Sequence, residues 1–185
     1  MNYQSETYVQ DYTSLSTTKR PKLLSILLLL SSIYILSTLT AVTQKLIDGP
    51  MTEVQLEAQM SELYGATQLL VNQGAGVEYM ESTQLIVENS RYINNEVFYL
   101  SNYSLLGTLM VGLISVFLMF FGFKIGLCVY LIYSMLPIIS MYLITPSGLI
   151  LETPILIIAF TSAVLLFLYT IGFNKLDEAK KAAKA

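Results

Sequence analysis

The chain has 185 residues, of which 54% are hydrophobic and 12% charged, and its mean hydropathy is +0.60. Soluble domains are about one quarter charged, so this composition excludes a conventional water-soluble globule and predicts an integral membrane protein. A single cysteine, Cys128, excludes an intrachain disulfide and a cysteine metal cluster, and there is no histidine to serve as general base, pH switch or metal ligand. The net charge of −3, without a basic patch, speaks against nucleic acid as a partner.

Residues 1–20 are polar and rich in Tyr, Ser and Thr, with no apolar period, and read as a cytoplasmic N-terminal arm. A sharper reading makes Tyr3, Tyr8 and Tyr12 anchors of a docking strand. Lys19, Arg20 and Lys22 then abut an apolar run over residues 23–43. At about 1.5 Å per residue such a run spans roughly 30 Å, the thickness of a bilayer core. Pro21 suits a first helical turn. The run is too long for a signal peptide and no small-x-small cleavage site follows, so it reads as a retained first transmembrane helix.

Asp48-Gly49-Pro50 ends that helix, and Thr52-Glu53-Val54-Gln55 has the form of a capping box. Met51, Val54, Met60, Leu63, Tyr64, Leu70 and Val71 follow at three- and four-residue intervals, blurred by Leu56 and Leu69. Gly74-Ala75-Gly76 interrupts the pattern. Val77, Met80, Leu85, Tyr92, Ile93 and Val97 then form the apolar side of a second run, which can continue without a break into the next membrane helix. The segment 48–100 therefore reads as a helical hairpin hinged at Gly74 and Gly76.

Residues 105–123 and 125–144 form the second and third spans, with Lys124 between them and Gly122 and Gly126 permitting a tight turn. Thr145-Pro146-Ser147-Gly148 is another turn, followed by an apolar interfacial loop ending at Glu152. Thr153-Pro154 introduces a fourth span over residues 155–173. The tail 174–185 extends that helix into water, helped by an Asp177–Lys181 pair.

Lys19, Arg20, Lys22, Lys124, Lys175, Lys180, Lys181 and Lys184 all fall on one side if four helices cross the bilayer, and that side should be cytoplasmic. Between the first two spans Lys45 and Arg91 face eight acids: Asp48, Glu53, Glu57, Glu62, Glu78, Glu81, Glu88 and Glu96. This segment belongs outside. The predicted fold class is thus all-α: a polytopic membrane protein with four transmembrane helices and an extracytoplasmic helical hairpin between helices 1 and 2. Residues 21–185 form one membrane domain, with both termini cytoplasmic.

The spans hold no Asp, Glu, Lys or Arg away from their ends, which argues against proton relays, voltage sensors and ion-coupled carriers. Their polar residues are small. Ser104, Gly107, Thr108, Gly112 and Ser115 share a face of the second span, and Ala159, Ser162, Ala163 and Thr170 line the fourth. Such stripes let helix backbones approach closely, for bundle packing or for docking of another membrane subunit. Pro137 should kink the third span, since it cannot donate to the carbonyl of Tyr133. The Tyr133 hydroxyl needs a partner, with Ser134, Ser140 or another helix as candidates. Tyr130, Tyr133 and Phe117 suggest packing before a lipid or quinone contact. Cys128 reads as a small buried hydrophobe, and Asn102-Tyr103-Ser104 fits a glycosylation sequon.

Glu78, Glu81 and Glu88 read as a solvated acidic face, not a cation site. No catalytic constellation, phosphate loop, dinucleotide fingerprint or metal motif occurs, so neither enzyme activity, cofactor nor metal is expected.

Lys19-Arg20-Pro21 with Leu23-Leu24-Ser25-Ile26-Leu27-Leu28 resembles the R-P-x-L-L-x-x-L entry to the first span of small uncharacterised four-span proteins of Bacteroidota. The run Leu118-Met119-Phe120-Phe121-Gly122-Phe123-Lys124-Ile125-Gly126, continuing to Tyr130, is similar to that family's turn between spans two and three. The family's polar insert after span one has its counterpart in residues 48–100. The resemblance covers most of the chain in layout and implies a bacterial cytoplasmic (inner) membrane location. The expected function is that of a non-enzymatic accessory or scaffold subunit, with the lipid bilayer and other integral membrane subunits as partners. The alternative is a passive oligomeric channel or small-solute transporter.

Overall fold

The computed structural model describes residues 20–74 and 76–182, so Tyr3, Tyr8, Tyr12, Lys19, Ala75 and Lys184 lie outside the described residues. Among the described residues the chain is all-helical. Its elements are α1 (Lys22–Asp48), α2 (Glu53–Asn72), α3 (Glu78–Asn95), α4 (Phe98–Phe120), α5 (Ile125–Ile144), a 3-10 turn (Ser147–Leu149) and α6 (Glu152–Ala182). Four of these, α1, α4, α5 and α6, are long and apolar enough to cross a membrane.

α1 starts after Pro21, whose ψ of 132° places it at the N-cap instead of inside the first turn, and its carbonyl accepts from the Ser25 N–H at 3.2 Å. Gly49 ends the helix at φ +77°, a conformation natural to glycine, with its N–H bonded to the Lys45 carbonyl. Between these ends Ser32, Thr38, Thr40 and Thr43 donate to the carbonyls of Leu28, Tyr34, Leu36 and Leu39. Each hydroxyl is satisfied within its own helix, which suits it to hydrocarbon.

The four apolar helices form a ring in which α1 and α5 each pack against both α4 and α6. Leu24, Ile35, Leu109, Met119, Tyr130, Tyr169 and Phe173 are buried together inside it. α4 and α5 are in tight contact at Gly126. A Cβ there would lie 2.6 Å from Met119 Cγ and 2.9 Å from the Met119 backbone nitrogen. The Ser115 hydroxyl, fully buried, donates to the Gly126 carbonyl at 3.0 Å. Of the two glycines flanking Lys124, Gly122 makes the turn with φ +79°, whereas Gly126 serves the helix crossing.

The pair α2 and α3 packs together beyond the ring. Thr52 caps α2 as its sequence pattern predicts: its side chain accepts from the Gln55 N–H, and the Gln55 side chain accepts from the Thr52 N–H at 3.0 Å. Gly74 turns the chain at φ +99°. Leu56, Met60 and Val87 form the apolar part of the seam, with Leu63 and Tyr64 packed beside them. The seam also contains a buried hydroxyl pair, Thr67 and Thr83, 2.9 Å apart.

This seam corrects the apolar faces drawn from periodicity. Leu56, which seemed to blur the pattern, is 3% exposed, whereas Val54 is 79% exposed and Leu70 and Val77 also face outward. The face is rotated because part of it is made of threonine. α3 also does not run into α4. The chain leaves helical geometry at Val97 (φ −128°, ψ 20°), and the Glu96 N–H closes α3 on the Tyr92 carbonyl at 2.9 Å.

α6 is a single 31-residue helix that carries the tail continuously to Ala182. Its Asp177 forms an ion pair with Lys124 in the α4–α5 turn, not with Lys181. The turn lies beside α6, so a cation across the bundle reaches the carboxylate that the local i,i+4 spacing seemed to claim. Arg20 joins the same end of the bundle, donating to the Phe120 carbonyl with its guanidinium 4.6 Å from the Phe120 ring centroid. A cation suits this position, since Phe120 ends α4 and its carbonyl has no helical partner.

Candidate functional site

The ring does not close evenly. α6 meets α1 at Gly172, where a Cβ would lie 3.1 Å from Leu24 Cβ, and at Tyr169, whose hydroxyl donates to Ser31 Oγ at 2.7 Å. Towards its N-terminal half α6 instead borders a cavity of about 530 Å³ that is lined by all four apolar helices. Ser31, Tyr34 and Thr38 from α1, Thr108 from α4, Tyr130, Tyr133 and Ser134 from α5, and Thr161 and Ser162 from α6 contribute its polar lining. Among the described residues no Asp, Glu, Lys or Arg lines it.

Tyr130 lies at the centre of an aromatic group: its ring centroid is 5.2 Å from that of Tyr169 and 5.6 Å from that of Tyr133. Tyr169 is satisfied by Ser31. Thr38 and Thr108 donate to the carbonyls of Tyr34 and Ser104 on their own helices. Both serines proposed as partners for Tyr133 are engaged elsewhere. Ser134 donates to the Tyr130 carbonyl at 2.9 Å, and Ser140 pairs with Ser104 at 2.7 Å. Among the described residues no fully buried side-chain polar atom lacks a partner, so the hydroxyls of Tyr130 and Tyr133, which bond no protein group there, open onto the cavity. Phe117, grouped with these tyrosines by sequence, is exposed elsewhere and packs edge-on to Phe121.

The small residues of the second span are divided by the structure. Thr108, Gly112 and Ser115 are buried and Ser104 is half-buried, whereas Gly107 is exposed, with open space where a Cβ would stand. A Cβ on Gly112 would lie 2.8 Å from the Tyr133 ring, so this glycine makes room for a cavity residue. On α6, Ser162 lines the cavity, while Ala159, Ala163 and Thr170 are exposed. Pro137 also lines the cavity, within an α5 that continues through it as helix.

Cys128 is exposed on α5, which corrects its expected burial: the register of the helix directs Gly126 and Tyr130 inward and position 128 outward. Asn102 is buried, and its amide donates to the Phe98 carbonyl at 2.7 Å, so it is not the exposed acceptor that a glycosylation sequon requires.

A second set of residues, not singled out from sequence, fixes α3 in place. Asn94 bonds both backbone groups of Met51, accepting from its N–H at 2.8 Å and donating to its carbonyl at 3.0 Å. Asn89 donates to the Leu149 carbonyl at 2.8 Å, and the Tyr92 hydroxyl donates to the Ile144 carbonyl at 3.2 Å. These contacts join α3 to the start of α2 and to the α5–α6 connection. The available signal was asparagine inside a helix, where it is intrinsically poor and therefore tends to serve side-chain bonding. Around these ties, all eight acids from Asp48 to Glu96 are exposed. Among the described residues no cluster of His, Cys, Asp or Glu is arranged to hold a metal ion.

These features define the class as an all-α protein with four helices suited to crossing a membrane. Comparison with protein-family models, curated proteins and solved structures finds no match for the chain.

Proposed function

We propose that the protein is a non-enzymatic accessory or scaffold subunit of a bacterial inner membrane, with its acidic helical hairpin presented outside and both termini in the cytoplasm. The observation that carries this reading is the attachment of α3. Asn89, Asn94 and Tyr92 spend their polar groups on backbone anchors, while every acid of α2 and α3 remains exposed. A surface held in one orientation loses less conformational freedom on meeting a partner than a flexible loop does. Exposed Leu69, Leu70, Val77 and Tyr79 near the α2–α3 turn add apolar contact area to this acidic surface. The charge distribution supports the topology: Arg20 and Lys124 lie at the opposite end of the bundle, as the positive-inside rule requires of a cytoplasmic face.

Photo-crosslinkers at Leu69 and Tyr79 in growing cells test this function. The expected result is a discrete crosslinked membrane or periplasmic protein that is lost when Glu78, Glu81 and Glu88 are changed together to lysine. A chain that crosslinks to nothing and purifies alone under gentle detergent extraction would contradict the reading. The channel alternative requires water along the α4 stripe, so labelling of a Ser115→Cys thiol by a water-soluble reagent would favour it.

A further inference from the structure

We propose that the cavity between α1, α4, α5 and α6 binds an uncharged, lipid-soluble molecule with a hydrogen-bond-accepting carbonyl head and an apolar tail. The cavity's volume of about 530 Å³ falls within the range of about 300–1,000 Å³ common to small-molecule sites. Its surface is mostly apolar and, among the described residues, is lined by no carboxylate, amine or guanidinium, so a formally charged head would find no counter-ion.

The polar groups define the head. Tyr130 is only 3% exposed as a residue, but no fully buried side-chain polar atom among the described residues lacks a partner, so the hydroxyls of Tyr130 and Tyr133, which bond no protein group there, open onto the cavity that they line together with the exposed Tyr34. Other hydroxyls nearby are already engaged: Tyr169, Thr38, Thr108 and Ser134 each donate to a protein oxygen. A phenol facing an apolar cavity gains by finding an acceptor, and Tyr130 and Tyr133 of α5 plus Tyr34 of α1 supply donors. A carbonyl oxygen, which accepts two hydrogen bonds and carries no charge, matches that set.

The route for the tail follows from exposure. Leu30 and Tyr34 on α1 and Ile157 on α6 all line the cavity and are more than half exposed. They form a sideways mouth between α1 and α6, opening where the lipid chains would lie. A quinone with an isoprenoid tail and a glycerol ester with acyl tails share the required chemistry.

The test uses the full chain in dodecyl maltoside, with two probes in separate titrations: a decyl-substituted benzoquinone and dioctanoylglycerol. Saturable binding is read from the shift in thermal melting and checked against probe-matched empty micelles. At least one probe should bind saturably. Tyr130→Phe and Tyr133→Phe, which keep the ring and remove the donor, should each weaken it about five- to tenfold. Ser162→Leu, which fills the cavity from α6, should abolish it. A response to the benzoquinone alone assigns the quinone source, and a response to the glyceride alone assigns the lipid source. Should Tyr130→Phe unfold the chain, Tyr34→Phe at the mouth provides the same comparison. Saturation by neither probe overturns the proposal, as does undiminished binding in the folded phenylalanine variants and Ser162→Leu.

Discussion

Gly126 and Gly107 are both glycines in apolar helices, but their surroundings give opposite expectations for the same substitution. A methyl group at Gly126 meets backbone of the neighbouring helix, which cannot swing aside, whereas one at Gly107 meets open space. Gly126→Ala should therefore destabilise the bundle by about 1–3 kcal/mol, the usual cost of overpacking. Gly107→Ala should be neutral or slightly stabilising, because alanine is the better helix former. Thermal unfolding of both variants in the same detergent measures the contrast. The small-residue stripe of α4 was legible because 104, 108, 112 and 115 recur at helical spacing. The distinct positions of Gly107 and Cys128 were not, since spacing identifies a face but not the neighbour that covers it.

At the scale of elements, the α2–α3 seam shows why hydropathy rotated the predicted faces. One of Thr67 and Thr83 donates to the other, which donates to the carbonyl of its own helix, Leu63 or Tyr79, so both enter a buried seam that a count of apolar residues omits. Removing one hydroxyl leaves its partner with only its own helix, while replacing both preserves shape and removes both demands. Thr67→Val or Thr83→Val should each cost about 1 kcal/mol, and the double variant should cost less than the sum. Equilibrium unfolding through a double-mutant cycle measures that coupling. The attachment of α3 has its own test. Asn94→Ala deletes both bonds to Met51 and should raise amide exchange across α2 and α3 while leaving α4 and α5 protected. Helix existence and the Thr52 cap could be read from sequence because both depend on neighbours along the chain. The asparagine ties join positions 43 and 60 residues apart, beyond the reach of any local pattern.

The whole molecule divides its chemistry between two ends. Arg20, Lys124 and Asp177 meet at one end, and the acidic pair of helices is held at the other. The Lys124–Asp177 contact is substantially exposed, so its value is positional: Asp177→Asn should change stability by less than about 1 kcal/mol. The four apolar helices were evident from length and composition, and the third span was predicted with the same limits as α5. The cavity was not evident, because no residue in it is unusual for a membrane helix. It is lined by residues of all four apolar helices, so it is a property of those helices together.

The proposed orientation underlies the scaffold reading, and one labelling measurement addresses it directly. In a Cys128→Ser background, single cysteines replace Glu81 on α3 and Lys181 at the end of α6, and cells with a permeable outer membrane and intact inner membrane receive a membrane-impermeant maleimide. The account predicts that Glu81→Cys is labelled at once and Lys181→Cys only after the inner membrane is opened. Immediate labelling of Lys181→Cys with protection of Glu81→Cys would contradict it, because the acidic helices would then face the cytoplasm.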